Sequence, residues 1–171
     1  MSDAANAQVP QGLDPENTLV MQLKDGTVYV KLRPDLAPKA AERLKILARQ
    51  GFYDGTPFHR VIEGFMAQGG DPSGTGSGGS KLPNLPAEFT NKEHFLTGTV
   101  GMARTGDPNS ANSQFYIMFA PASHLDGQYT IVGQVVGGME NVNKIKRGSG
   151  SSGSVSSPDK IVSMKVLADA K

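Results

Sequence analysis

The chain has 171 residues, with 17 Lys and Arg against 16 Asp and Glu and no cysteine. That length suits one domain around one core, and the near-neutral charge gives no broad basic field of the kind nucleic-acid binders use. Without cysteine there can be no disulfide, thiolate metal site or cysteine nucleophile. His59, His94 and His124 stand at no metal-ligand spacing such as i, i+4, so no metal or other cofactor is expected. No apolar run is long enough to span a bilayer, and no membrane partner is expected. Met1–Gly12 lacks the basic start and apolar centre of a signal peptide. The cytoplasm is therefore the expected location, with the periplasm the alternative for a mature exported form.

Residues 1–16 are small and polar and read as a flexible tail, which leaves residues 17–171 as the domain. Thr18–Leu23 sets Leu19, Met21 and Leu23 against Val20 and Gln22, the alternation of a half-buried strand. Asp25-Gly26 predicts a hairpin turn, and Thr27–Leu32 the returning strand with Val28, Val30 and Leu32 on one face. Over Pro38–Gln50 the period changes: Leu44, Leu47 and Ala48 follow Ala40 and Ala41 on one helical stripe. Pro38 suits the first turn and Gly51 the stop. Short apolar segments at Phe58–Ile62, Phe65–Gly69, Thr99–Ala103, Gln114–Phe119 and Tyr129–Val136 are bounded by turn residues, as strands are. Met139–Lys146 predicts a second helix, with Met139, Val142 and Ile145 three apart, and Ile161–Leu167 a last strand. The chain reads as a mainly β protein: a closed eight-stranded antiparallel barrel, which removes exposed edges, flanked by two α-helices.

Two Gly/Ser-rich stretches, 69–80 and 147–157, interrupt this pattern. The second resembles a linker in composition, but too little chain lies beyond it to fold alone, so a mobile loop before the sealing strand is expected. Within the first, Gly74-Thr75-Gly76-Ser77-Gly78-Gly79 matches G-x-G-x-x-G. A dinucleotide site requires a strand before that motif and a helix after it, and here Asp71-Pro72-Ser73 and Lys81-Leu82-Pro83 supply neither. The glycines fit a turn-dense surface loop. No G-x-S-x-G elbow supports a serine hydrolase. Lys144, Lys146 and Arg147 form the densest basic cluster, but they complement a helix C-terminus better than they make a nucleic-acid patch.

The most informative segment is Phe58-His59-Arg60-Val61-Ile62-Glu63-Gly64-Phe65-Met66-Ala67-Gln68-Gly69-Gly70-Asp71. Gly101-Met102-Ala103-Arg104, Asn112-Ser113-Gln114-Phe115-Tyr116-Ile117, Leu125-Asp126-Gly127 and Val132-Gly133-Gln134-Val135 come after it in order. Together these segments resemble the cyclophilin signature, and the resemblance covers roughly residues 17–168. It implies a peptidyl-prolyl cis–trans isomerase that assists protein folding by turning X-Pro bonds in proline-containing peptides and flexible or unfolded segments. A monomer is the default.

The chemistry suits these residue types. Amide resonance sets a rotation barrier of about 18–20 kcal/mol, but no bond breaks, so neither a nucleophile nor a metal is required. A catalyst must bind the twisted amide better than the planar one, and a fixed donor in an apolar pocket does so. Arg60 is always charged and carries a rigid donor fork. On an extended strand it shares a face with Phe58 and Ile62, while His59 and Val61 take the other. A surface salt bridge is the commoner fate of such an arginine; the surrounding signature argues for catalysis instead.

By resemblance, Arg60 and Gln68 are the catalytic pair, with Gln68 beside the substrate backbone. Phe65, Met66, Tyr116 and Leu125 surround the substrate proline, and Ala103 and Arg104 run along the peptide through main-chain atoms. Gln114, His124 and Tyr129 complete the substrate-binding set, and His59 is a structural residue behind the strand. Tyr116 stands where many relatives carry Phe, and its hydroxyl needs a partner if buried. His124 replaces the Trp of cyclosporin-sensitive relatives, so weak cyclosporin binding is expected. Tyr129 stands where many animal members carry His; with Arg104 and the Asp107-Pro108-Asn109-Ser110 turn, it resembles the bacterial branch. Two other readings remain: a module that binds proline peptides without turning them over, and an unrelated serine hydrolase.

Overall fold

The computed structural model of the chain describes residue 10 and residues 12–170. Most of the expected tail thus lies outside the described residues. Its end is held: Pro15–Asn17 forms a single 3-10 turn capped by the Asp14 carboxylate, and Glu16 pairs with Arg49.

Eight strands and two helices run in the expected order: β1 Thr18–Leu23, β2 Gly26–Leu32, α1 Pro38–Arg49, β3 Arg60–Ile62, β4 Met66–Gly69, β5 Thr99–Met102, β6 Phe115–Met118, β7 Ile131–Gly137, α2 Met139–Val142 and β8 Ser163–Val166. In the first hairpin Leu23 pairs with Gly26, so Lys24-Asp25 form the loop, one residue earlier than the Asp-Gly signal suggests. In α1 the stripe Ala40, Ala41, Leu44, Leu47 and Ala48 is buried as predicted. Its first free N–H groups, on Lys39 and Ala40, are capped from a distance by the Glu88 carboxylate at 3.0 and 2.9 Å. α2 is shorter than predicted. After Val142 the chain tightens into turns in which the Lys144 and Ile145 N–H groups reach back three residues, although Val142 and Ile145 are still buried.

All the ladders are antiparallel, and the strands lie in the order β3-β4-β6-β5-β7-β2-β1-β8. The expected closed barrel is corrected here: the sheet is an open half-barrel, because no ladder joins β3 to β8. The segments before these strands do meet, at a Pro57–Lys160 bridge and through backbone bonds from Phe58 to Asp159, from Ile161 to Thr56 and from Gly55 to Ile161. The physical reason is that the outer edge of β3 is already taken. Val61 donates to the Gly153 carbonyl and accepts from the Gly148 N–H, both at 2.8 Å, and Val155 donates to the His59 carbonyl at 3.2 Å. The second Gly/Ser-rich stretch therefore covers an edge that would otherwise stay unpaired.

Alternation along β4 and β6 separates two apolar clusters. Ala67, Phe115 and Ile117 face the main core, with Leu19, Met21, Val30, Leu44 and Leu47. Met66, Tyr116 and Met118 face the other way, into a smaller cluster with Phe95, Leu125 and Ile131. That second face carries the site.

Candidate active site

Strand register builds the site as a row. Arg60 on β3 pairs with Gln68 on β4, Gln68 with Tyr116 on β6, and Tyr116 with Gly101 on β5. Side chains at paired positions stand on one face, so Arg60, Gln68 and the Tyr116 ring lie side by side. Gly101 ends the row because its neighbour fills its space: a Cβ there would lie 2.6 Å from Tyr116 Cζ and 2.8 Å from Phe95 Cε2.

The Arg60 guanidinium is held on two sides. Nε donates to the Ser152 carbonyl at 3.0 Å, and Nη1 donates to Gln68 Oε1 at 3.1 Å. Gln68 Nε2 in turn donates to Gln114 Oε1 at 2.9 Å, and Gln114 Nε2 donates to the carbonyls of Gly76 and Gly78, both at 2.9 Å.

Beside this row opens a cleft of about 290 Å³, with Arg60 and Gln68 on one wall. Phe65, Met66, Tyr116 and Leu125 give it apolar surface, and Met66, Tyr116 and Leu125 are buried in the second cluster. His124, on the short 3-10 turn Ser123–Leu125, places its ring 5.8 Å from that of Phe65. That turn is tied down by Asp126, which accepts from the Phe95 N–H and meets His94 Nδ1, each at 2.8 Å. Tyr129 closes the far side, its ring edge-on to Tyr116. Arg104 Cζ lies 4.5 Å from the Tyr129 ring centroid, and its guanidinium donates to the Gln128 and Thr105 carbonyls. The Ala103 N–H is already committed to the Gln114 carbonyl, which limits the main-chain role expected for it.

A second cleft, of about 510 Å³, adjoins the first and shares Gln68, Ala103 and Arg104 with it. The 76–80 loop and Gln114 wall it. Every catalytic or substrate-binding residue read from the sequence thus borders one cleft or the other, with Gln114 confined to the second.

The Tyr116 hydroxyl is buried and has no hydrogen-bond partner among the described residues, and burial pushes it well above the usual phenol range. His59, on the opposite face from Arg60, packs behind the strand under the glycine loop. Burial pushes its imidazole below the ordinary range, partly offset by the nearby Asp71 carboxylate. Four contributors are missed by the sequence reading: Phe95, Gly101, Asp71 and the Ser152 carbonyl. A glycine inside a strand pattern is a signal for close approach, so Gly101 was findable. A carbonyl contributed by a loop leaves no trace in residue type.

A fixed guanidinium donor beside an apolar cleft suits the rotation of an amide, a reaction that requires neither metal nor nucleophile. A family model described as cyclophilin type peptidyl-prolyl cis-trans isomerase/CLD matches residues 18–166. A probable peptidyl-prolyl cis-trans isomerase of Brucella suis is 53% identical over 176 aligned positions, covering 96% of this chain and 89% of that protein. Among solved structures, a cyclophilin from Hirschia baltica superposes with a TM-score of 0.83 at 28% identity, covering 93% of this chain and 77% of that one. A cyclophilin type isomerase from Cryptosporidium parvum, crystallised in the presence of the dipeptide Ala-Pro, gives 0.81 at 29% identity, covering 87% and 98%. The chain belongs to the cyclophilin-type peptidyl-prolyl cis–trans isomerases. It is an isomerase acting on X-Pro peptide bonds.

Proposed function

We propose that Arg60 is the group through which this isomerase lowers the rotation barrier. The substrate proline ring sits in the apolar cleft against Phe65, Met66, Tyr116 and Leu125. As the X-Pro bond twists, resonance is lost and the nitrogen lone pair becomes a hydrogen-bond acceptor. A remaining N–H of Arg60 donates to it, and Gln68 lies against the substrate backbone. The observation that carries this reading is the double anchoring of Arg60 on the cleft wall, by Ser152 and Gln68. A donor fixed before reaction needs no reorganisation when the amide twists, which is what makes such a donor effective. Proline-containing peptides are the proposed substrates, in keeping with the Ala-Pro used with the Cryptosporidium relative. Weak cyclosporin binding belongs to the same proposal, since His124 offers an imidazole where sensitive relatives offer an indole.

The test is exchange spectroscopy by NMR on a short Ala-Pro peptide with catalytic protein. Arg60→Ala is expected to slow exchange by roughly 100-fold or more while the domain stays folded. A folded Arg60→Ala protein at full rate would remove Arg60 from the mechanism. A native protein that binds the peptide without accelerating exchange would move the chain to the binding-module reading.

A further inference from the structure

The glycine loop that fails as a nucleotide motif is organised around one buried carboxylate. Asp71 is fully buried. Its Oδ1 accepts from the Ser73 N–H at 2.9 Å and the Ser73 hydroxyl at 2.7 Å, and its Oδ2 from the Gly76 and Gly78 N–H groups at 2.7 and 3.1 Å. The loop has no room for anything else at its centre: a Cβ on Gly78 would lie 2.0 Å from Asp71 Oδ1. The N–H groups of Gly76 and Gly78 are thus drawn to the carboxylate, and the carbonyls of the same two residues are the acceptors for Gln114.

Amide polarity carries this arrangement onward to Arg60. A glutamine side chain has a donor end and an acceptor end, and the two are not interchangeable. With two carbonyls facing it, Gln114 must present its NH₂ to the loop, which leaves Oε1 toward Gln68. Gln68 must then present its NH₂ to Gln114, which leaves Oε1 toward Arg60, a group that can only donate. Reversing either amide would set donor against donor, or acceptor against acceptor, at both of its ends.

We infer that Asp71 and Gln114 are positioning residues for Arg60: the buried carboxylate fixes the glycine loop, and the loop fixes the sense of a relay that ends on the guanidinium. This rests on the isomerase reading with Arg60 as its donor. Neither residue touches the reacting amide in this scheme. The formal nucleotide motif is a scaffold whose small residues let backbone N–H groups converge on a carboxylate from one side and carbonyls face an amide on the other.

The test is a double-mutant cycle of Asp71 with Arg60 on the full chain, with NMR exchange of the Ala-Pro peptide and the Arg60 Nε–H resonance as readouts. Asp71→Asn puts an NH₂ among N–H donors. Gln114→Glu replaces the donor end of the relay with a charged oxygen facing two carbonyls, and serves through the Arg60 Nε–H signal if Asp71→Asn fails to fold. In the Arg60-containing protein each folded variant is expected to lower kcat about 10-fold, with a smaller change in KM, and to shift or broaden the Arg60 Nε–H signal. In the Arg60→Ala background Asp71→Asn is expected to lower the residual kcat no more than about twofold; Gln114→Glu, which lies on the second cleft, is read by the Arg60 Nε–H signal instead. The inference is overturned if a folded variant leaves the Arg60 signal unmoved, or if the Asp71→Asn loss of kcat is the same with and without Arg60. If Arg60→Ala itself keeps the full rate, it is the isomerase mechanism that fails, and the relay has nothing to position.

Discussion

The loops 69–80 and 147–157 both consist mostly of glycine and serine and are built on different principles. The first wraps a charge: Asp71 gathers the N–H groups of Ser73, Gly76 and Gly78. The second behaves as a fragment of strand, exchanging backbone bonds with β3 through Val61 and closing on itself at the Ser149–Ser154 bridge. In each, closure depends on glycines whose side-chain space is already filled. A Cβ on Gly78 would meet Asp71 Oδ1 at 2.0 Å, and one on Gly148 would meet the Gly153 carbonyl oxygen at 1.9 Å. Both loops end on the same guanidinium, one through Gln114 and Gln68 and the other through the Ser152 carbonyl. Composition reports that a loop is short of side chains; it does not report whether a carboxylate or a strand edge organises it.

The strongest way to break this comparison is to fill the two glycines. Gly148→Ala forces a methyl into backbone that has no flexible end to move, and Gly78→Ala forces one into a carboxylate held by four donors. Each is expected to cost about 3 kcal/mol of stability in urea denaturation. If Gly148→Ala leaves stability unchanged, the edge-strand description of the second loop is wrong.

Acid separates the loops next. Burial alone would raise the Asp71 carboxyl, but the hydrogen bonds from Ser73, Gly78 and Gly76 overcome it and lower it to about 2, from an ordinary value of 3.8. Because the folded value lies below the unfolded one, this stabilisation is complete above about pH 4 and is lost as pH falls toward 2; it amounts to about 2 kcal/mol. Amide exchange should therefore show the Gly76 and Gly78 N–H groups losing protection over that interval. The Val61 and Gly148 amides, which rest on backbone carbonyls, should keep theirs. Equal loss at all four positions would remove the distinction.

The smallest effect is a control outside both loops. Tyr116→Phe deletes a buried hydroxyl that has no partner among the described residues, so stability is expected to rise by about 1 kcal/mol, read from the urea midpoint. A fall would mean that the hydroxyl has found a partner in solution, such as a water.

Strand and helix positions were legible because alternation and the 3.6-residue stripe survive in a single sequence. Leu19, Met21 and Leu23 are buried as their spacing requires, and so are Ala40, Leu44 and Leu47. The cleft residues were legible through the resemblance, and all of them border the two clefts. Barrel closure was not legible. Whether β3 meets β8 depends on what else competes for the Val61 backbone, and the winner is a loop far along the chain, at Gly148 and Gly153. The shortened α2 belongs to the same class, since Val142 and Ile145 are buried although the backbone tightens into turns between them.

The sequence by itself determined which residues face which way and which chemistry they can do: an obligate donor at Arg60, apolar surface beside it, and no thiol to suggest another reaction. Only the tertiary structure decided how that donor is held. Its anchors are a carbonyl at Ser152 and the orientation of two amides at Gln68 and Gln114, and hydrogen-bond direction depends on where atoms lie in space rather than on which residues carry them.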